Sequence, residues 1–382
     1  MVRMPHGLRW TGAHRGARLV RAGTARPLRV LRRLEGAARA HHAPLARVAL
    51  RAFRLTRRGW HMGDLALLGL LDPHGGPARE RWAVRRGEFE RLQESLNPGE
   101  AVPLVQDKLI FAEACLERDL PTVPVLWVLE RSSDPSATAR AWALGLERHA
   151  PEEFVVKPIS GQRGIGVRVL RRGPSGAEDH CGAAWSWYEI ARELVAGPGT
   201  ALLLQPRLHQ HPDVRRLSGR DALQTYRIIT LLDEDGRAGV IYALMRLAVG
   251  DGLLDGFRSA DSGTTGNLIV RVEPDGTLAT PVAASPSGFG LERVPRHPHS
   301  GVVLSGADAP GWVEARALAL RAAEAFAPLR AVGWDIAATR DGAVLVEGNA
   351  WWGASADPDG ALLPALQSLR EAVAGSNPPG RG

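Results

Sequence analysis

The chain has 382 residues, 45% of them hydrophobic, and a formal net charge of +7. That length and composition allow two or three domains with a real core and exclude global disorder. The two cysteines, Cys115 and Cys181, lie far apart without metal-like spacing, which excludes a disulfide scaffold and points to a reduced, cytoplasmic protein.

No apolar run is long enough to span a bilayer, and arginines interrupt any signal-peptide core at the N-terminus. The charge is unevenly placed. Residues 1–60 hold fifteen arginines and one acid, Glu35, so +14 there leaves −7 for the remainder. A basic arm on a mildly acidic body suits an anionic lipid surface, nucleic acid or an anionic glycan. The plainer alternative is a solvated arginine face on helices, because Leu28, Leu31 and Leu34 recur at near-helical spacing between arginines.

In chain order, residues 1–25 read as loosely ordered and 26–60 as helix interrupted near Pro44. Gly59 to Asp64 reads as a loop into an apolar helix at Leu65 to Leu71. A further helix over 80–96 is stopped by Asn97-Pro98-Gly99, and another covers 106–118. Val123 to Leu129 reads as strand, 135–148 as helix, and Phe154 to Lys157 as a strand followed by a glycine loop, Ser160-Gly161-Gln162-Arg163-Gly164-Ile165-Gly166. Ala201 to Gln205 is a short buried strand. Gln224 to Leu232 and Ala238 to Val249 form a hairpin, as do Gly333 to Ala338 and Ala343 to Glu347. Between them, Asn267 to Val272 and Leu278 to Val282 flank a turn, and Val313 to Phe326 is an alanine-rich helix. A helix from Leu362 to Val373 closes the fold before a tail that reads as disordered.

Only two lysines, Lys108 and Lys157, occur against 46 arginines. A position that stays lysine in such a chain is a candidate for a compact ammonium that a planar guanidinium cannot replace. Lys157, beside the glycine loop, has the setting of a nucleotide phosphate clamp. Asp335, Glu347 and Asn349 are oxygen-bearing side chains on neighbouring strands of one hairpin. Glu347 and Asn349 are two apart and therefore share a face. Such a set suits a hard cation such as Mg²⁺. A common site also requires Asp335 opposite Glu347, hence an odd-numbered loop or an equivalent bulge, with Gly342 at positive φ. Arg227 and Arg246 lie in apolar strands, on one face if the loop between those strands has even length, and need an anion there. The polar loop Asp261 to Asn267 could wrap a phosphate through its amides. Trp351-Trp352 reads as core packing ahead of a substrate platform. His211, His297 and His299 read as turn residues.

This order of features resembles the ATP-grasp superfamily, with the likeness running over roughly residues 105–355. More closely it is similar to the sugar-transfer-associated ATP-grasp proteins, a group related to glutamate ligases. The phrases that carry this are Leu96-Asn97-Pro98, Asp107-Lys108-Leu109, Gln210-His211-Pro212, Tyr226-Arg227-Ile228-Ile229-Thr230 and Val332-Gly333-Trp334-Asp335. The resemblance implies an α+β fold in which two α+β subdomains clamp ATP. A basic, mainly helical region would occupy 1–100, a lid subdomain 101–200, a metal-bearing subdomain 201–374 and a tail 375–382.

It also implies roles. Lys108 and Lys157 would hold the α- and β-phosphates, and Ser160, Gly161, Gly164 and Gly166 would belong to a loop closing over ATP. The hinge Gln205 to Leu208 would face adenine. Asp335, Glu347 and Asn349 would bind Mg²⁺, and Arg227 and Arg246 would stabilise the transferring phosphoryl group. Many ATP-grasp enzymes carry an acid where Gln205 stands and another a few residues later for the ribose; the nearest candidates here are His211 and Asp213.

The implied reaction is ATP-dependent ligation of a carboxylate to an amine or thiol through an acyl phosphate, acting on a small molecule or glycan in polysaccharide or glycoconjugate synthesis. It needs no nucleophilic side chain. The alternatives are a kinase using the same phosphate machinery and a non-enzymatic arginine-arm binder. No specific nucleic-acid partner is expected. An anionic membrane surface is the partner expected for residues 1–60.

Overall fold

The computed structural model describes residues 25–75, 78–161, 164–253, 255–257, 265–353 and 360–376. The expectations for residues 1–24, for 261–264 of the polar loop and for the tail beyond 376 lie outside the described residues. Among the described residues no helix is long and apolar enough to cross a membrane.

The chain opens with helices α1 (Ala25–Ala40), α2 (Leu45–Arg57), α3 (Met62–Leu67), α4 (Ala78–Trp82), α5 (Arg86–Leu96), α6 (Pro103–Gln106) and α7 (Lys108–Glu117). Pro44 stands at the N-cap of α2 and divides α1 from α2, as its missing N–H and fixed φ require. Ala37, Val48, Ala52, Leu55, Leu65 and Leu70 meet in a small core of their own. The helix expected over 80–96 is broken between α4 and α5, and Val84 of the break is buried.

A six-stranded antiparallel sheet follows. It comprises β1 (Trp127–Glu130), β2 (Glu153–Pro158), β3 (Arg168–Arg172), β4 (Gly176–Asp179), β5 (Ala184–Ser186) and β6 (Ala201–Pro206), ordered β1-β6-β2-β3-β4-β5. Helices α8 (Pro135–His149) and α9 (Trp187–Ala196) cover one face, where Trp142, Leu146, Ile190 and Leu194 pack on Leu129, Phe154, Val156 and Leu204. Alternation then puts Val155, Lys157 and Gln205 on the other face. Because β6 pairs with β1 and β2, this sheet runs to Pro206 rather than ending at residue 200.

After α10 (Pro212–Ser218) comes a seven-stranded sheet of β7 (Thr225–Leu232), β8 (Ala238–Leu247), β9 (Leu268–Arg271), β10 (Val282–Ala284), β11 (Leu291–Arg293), β12 (Ala331–Thr339) and β13 (Gly342–Asn349). Its order is β11-β10-β9-β8-β7-β12-β13. One face packs Tyr226, Ile228, Met245, Trp334 and Ile336 against Phe111 of α7 and Ala315, Ala319 and Ala322 of α11 (Trp312–Ala325). The opposite face is covered at one end by Phe89 of α5 and by Leu362, Leu366 and Leu369 of α12 (Leu362–Ser376). The rest of that face carries Arg227, Arg246, Asp335, Glu347 and Asn349 and opens onto a cleft.

Two bulges decide that face. Leu232 pairs with Ala238, so the β7–β8 loop has five residues, an odd number, contrary to the even length expected. Left regular, that hairpin would send Arg246 to the side opposite Arg227. A register shift between Ile229 and Thr230 corrects the parity, and Leu244 stands across from Arg227. In the last hairpin Thr339 pairs with Gly342 around a two-residue turn, which alone would set Asp335 against Val346. A shift between Asp335 and Ile336 brings Asp335 opposite Glu347 instead, and Gly342 has φ of 112°. The expected outcome is thus reached through a bulge.

Asn97, just past α5, clamps the N-terminal helices to this sheet. Its Oδ1 accepts from the backbone N–H of Arg330 and Ala331, both at 3.0 Å, and its Nδ2 donates to Ala331 O at 2.9 Å. The side chain is 1% exposed, so its loss strands buried backbone groups. Asn97→Ala should destabilise the protein by about 3 kcal/mol in urea unfolding; a loss below about 1 kcal/mol would mean that other groups satisfy those amides.

Candidate active site

The charged face of the second sheet centres on Asp335, whose side chain is 4% exposed. Arg227 donates from Nε to Oδ1 and from Nη2 to Oδ2 at 2.8 Å. Arg246 donates from Nη2 to Oδ1 at 2.9 Å and from Nη1 to Oδ2 at 3.2 Å. Burial pushes the Asp335 carboxyl upward, but the two guanidinium groups override it and hold the group below the usual carboxylate range. Across the hairpin the Glu347 carboxyl is raised, first by burial and then by repulsion from Asp335. The pair therefore ionises first at Asp335. Asn349 donates from Nδ2 to Gly333 O at 3.3 Å and to Glu347 Oε1 at 3.4 Å.

Asp255 is a further member that the sequence reading did not find. Its Oδ2 accepts from Thr225 N at 2.8 Å and Thr225 Oγ1 at 2.6 Å, and its Oδ1 lies 3.7 Å from Arg246 Nη1. Burial raises its pKa above the ordinary aspartate value. Nothing local marks this residue. It sits in an irregular stretch thirty residues after Thr225, and only the folded chain brings the two together.

The facing sheet contributes the lysines. Lys157 is 9% exposed and lines the cleft. Burial lowers its pKa to about 8, while Glu347 acts in the opposite sense and Lys108 adds a smaller downward push. Lys108 starts α7, a position fixed by Asp107, whose carboxylate caps the backbone N–H of Leu109 and Ile110 at 2.9 and 3.1 Å. Its Nζ donates to Gly161 O at 3.0 Å, tying the second sheet's helix to the start of the glycine loop. Gly166 has φ of 76°, and a Cβ there would stand 2.9 Å from Pro198 Cγ, so the return of this loop needs glycine on two counts.

The cleft between the sheets encloses about 580 Å³, within the range of small-molecule sites. It brings together Lys108, Lys157, Gly161, Gly164, Gln205, Leu208, Arg227, Arg246, Asp335, Glu347 and Asn349. Gln205 donates from Nε2 to Val123 O at 3.0 Å, so the residue at the acid position of the hinge is engaged with backbone. Ser160, Gly166 and Asp213 are not among the lining residues. Asp213 lies on α10, 3.5 Å from Arg216 and 3.7 Å from His211. Trp351 and Trp352 line the cleft, and Trp352 is also packed against Phe89 at 5.0 Å between ring centres. His297 is held structurally, its Nε2 at 3.0 Å from Ala248 O. Among the described residues no cluster of three or more His, Cys, Asp or Glu has metal-holding geometry, so the oxygen set is two carboxylates and one amide.

Against this geometry, the sugar-transfer associated ATP-grasp family model matches residues 88–369. The chain belongs to that family. Its fold is ATP-grasp, a mixed α and β arrangement of two antiparallel sheets. Similar solved structures include D-cycloserine synthetase DcsG, at 18% identity over 72% of this chain and 73% of that one, with a TM-score of 0.37. VanG D-Ala:D-Ser ligase from Enterococcus faecalis is 11% identical over 73% of this chain and 63% of its own, with a TM-score of 0.43. The ATP-grasp ligase PsnB, complexed with precursor peptide PsnA2 and AMPPNP, is 18% identical over 73% and 62%, with a TM-score of 0.37. No curated protein matches the sequence.

Lys157 gives the cleft a pH signature. Its pKa is lower in the folded chain, about 8 against 10.5. Between those values the unfolded chain holds a proton that the folded chain has lost, so this group's contribution to stability rises with pH across that window. Nucleotide phosphates favour the ammonium, so ATP affinity should fall as pH passes about 8, with proton uptake on binding seen by calorimetry in buffers of different ionisation enthalpy. Lys157→Met should abolish that uptake. Lys157→Arg should weaken ATP roughly tenfold or more, the size of one lost charge-assisted hydrogen bond; wild-type affinity in this variant would refute the clamp role.

Proposed function

We propose that this protein is an ATP-dependent ligase that activates a carboxylate as an acyl phosphate and couples it to an amine, in the modification of a glycan or glycoconjugate. The observation that carries the reading is the opposition, across one cleft, of Lys108 and Lys157 to Arg227, Arg246, Asp335, Glu347 and Asn349. Family membership supports it, and the glycan setting rests on the family's description.

The oxygen donors fit a hard divalent cation. Asp335 and Glu347 stand opposite each other and Asn349 lies two residues on, so their oxygens share one face of the sheet. Mg²⁺ there would be held by these three residues and would neutralise charge between the phosphates. Lys108 and Lys157 bind phosphate oxygens as compact ammonium groups. The apolar stretch by Val155, Val169 and Leu208 receives the base. Arg227 and Arg246 are fixed by Asp335 and Thr225 before any substrate enters, so they meet developing charge without reorganising.

In the first step a carboxylate oxygen bonds to the γ-phosphorus as the bond to the ADP oxygen breaks. In the second an amine nitrogen bonds to the acyl carbon and phosphate leaves. Asp255, through Oδ1, takes the proton that the nitrogen gives up. It is held by Thr225, and its burial suits it to accept a proton.

The test is release of ADP and phosphate with mixed carboxylates and amines, products read by mass spectrometry. A phosphorylated product would instead make the protein a kinase. Asp255→Asn should lower amide formation by about a hundredfold. It should leave hydroxamate formation from hydroxylamine, a neutral and strong nucleophile, largely intact. Equal loss with both acceptors would remove Asp255 from proton transfer.

A further inference from the structure

Helix α2 turns Val48, Ala52 and Leu55 inward, onto Ala37 of α1 and the small N-terminal core. A helix with one buried stripe ordinarily presents polar residues on the far side. Here the far side is Ala46, Leu50, Phe53 and Arg57, at helical spacing, with Arg47 and Arg54 beside them. Leu50 is 49% exposed and Phe53 57%, and the Arg57 guanidinium lies over the Phe53 ring at 5.7 Å from its centre. On α1, which the four-residue connection 41–44 places antiparallel to α2, Leu28 and Leu31 are exposed at 61% and 45%. The two helices carry nine arginines and a single acid, Glu35.

We propose that the outward face of α1 and α2 docks on the surface of an anionic lipid bilayer, with Leu50 and Phe53 entering the headgroup–acyl boundary and Arg47, Arg54 and Arg57 meeting lipid phosphates. Charge sets the sign of the partner, and the apolar residues set its class. A nucleic acid or a soluble polyanion would satisfy the arginines but leave Leu50 and Phe53 in water, whereas a bilayer satisfies both. Insertion is shallow, since no described helix is long and apolar enough to cross a membrane. The proposal is independent of the ligase reading, because these helices precede the region matched by the family model.

The test is flotation of the full chain with vesicles of phosphatidylcholine alone or mixed with phosphatidylglycerol, at rising salt. Binding to the mixed vesicles only, weakened by salt, is expected. L50D/F53D should reduce it at least about tenfold, from the lost burial of two apolar side chains. R54Q/R57Q should reduce it about fivefold per arginine. The milder L50A/F53A separates insertion from misfolding, with unchanged thermal unfolding and unchanged ATP affinity as the check on the fold. Failure to bind mixed vesicles would overturn the proposal. So would vesicle binding equal to wild type in both apolar variants, or RNA binding that competes with the vesicles and ignores those variants.

Discussion

The cleft depends on one buried ionic knot, the Asp335 carboxylate held by both Arg227 and Arg246. A carboxylate with 4% exposure is costly unless paired, and two guanidinium groups on an otherwise apolar sheet are costly unless they share an anion. The three residues answer each other's desolvation. Thr225 and Asp255 extend the knot on the Arg246 side, and Glu347 and Asn349 extend it along the last strand. Removing one member would leave an uncompensated buried charge.

That knot requires four strands to agree on a face, and loop lengths alone do not make them agree. A five-residue loop puts Arg246 on the wrong side and a two-residue turn puts Val346 where Glu347 is needed. Each hairpin has one bulge, and each bulge restores the parity. The packing on the far side has the same need. Tyr226, Ile228, Met245, Trp334 and Ile336 must all enter the core under α11, and a slip of one residue would expose them. Burial of that face therefore enforces the register that assembles the charged one.

This explains what was legible in the chain. Lys108 and Lys157 stood out because the sequence uses arginine nearly everywhere else. Glu347 and Asn349 were legible as a period-two pattern, and Asp335 joined their face once a hairpin with an odd-numbered loop or an equivalent bulge was assumed. The location of the bulges was not legible, since counting residues between strands gives parity and not where it is broken. Asp255 was not legible, because its partner Thr225 reaches it across an irregular segment. Strands β3 to β5 were missed for a different reason. They are short, polar and near a sheet edge, with little alternation to read.

Lys108 links the two halves in a way the sequence could not show. Its helix is anchored in the core of the second sheet by Phe111, Ala114 and Cys115, while its Nζ holds Gly161 O of the first. An ammonium has three donors, and a carbonyl uses one of them. Lys108 can therefore keep the glycine loop in place while presenting its remaining donors to the cleft, where Lys157 stands close enough to depress its own pKa further. Two like charges in a small cavity repel until an anion separates them. An anion placed between the two ammonium groups would be attracted to both, and that attraction would offset their mutual repulsion.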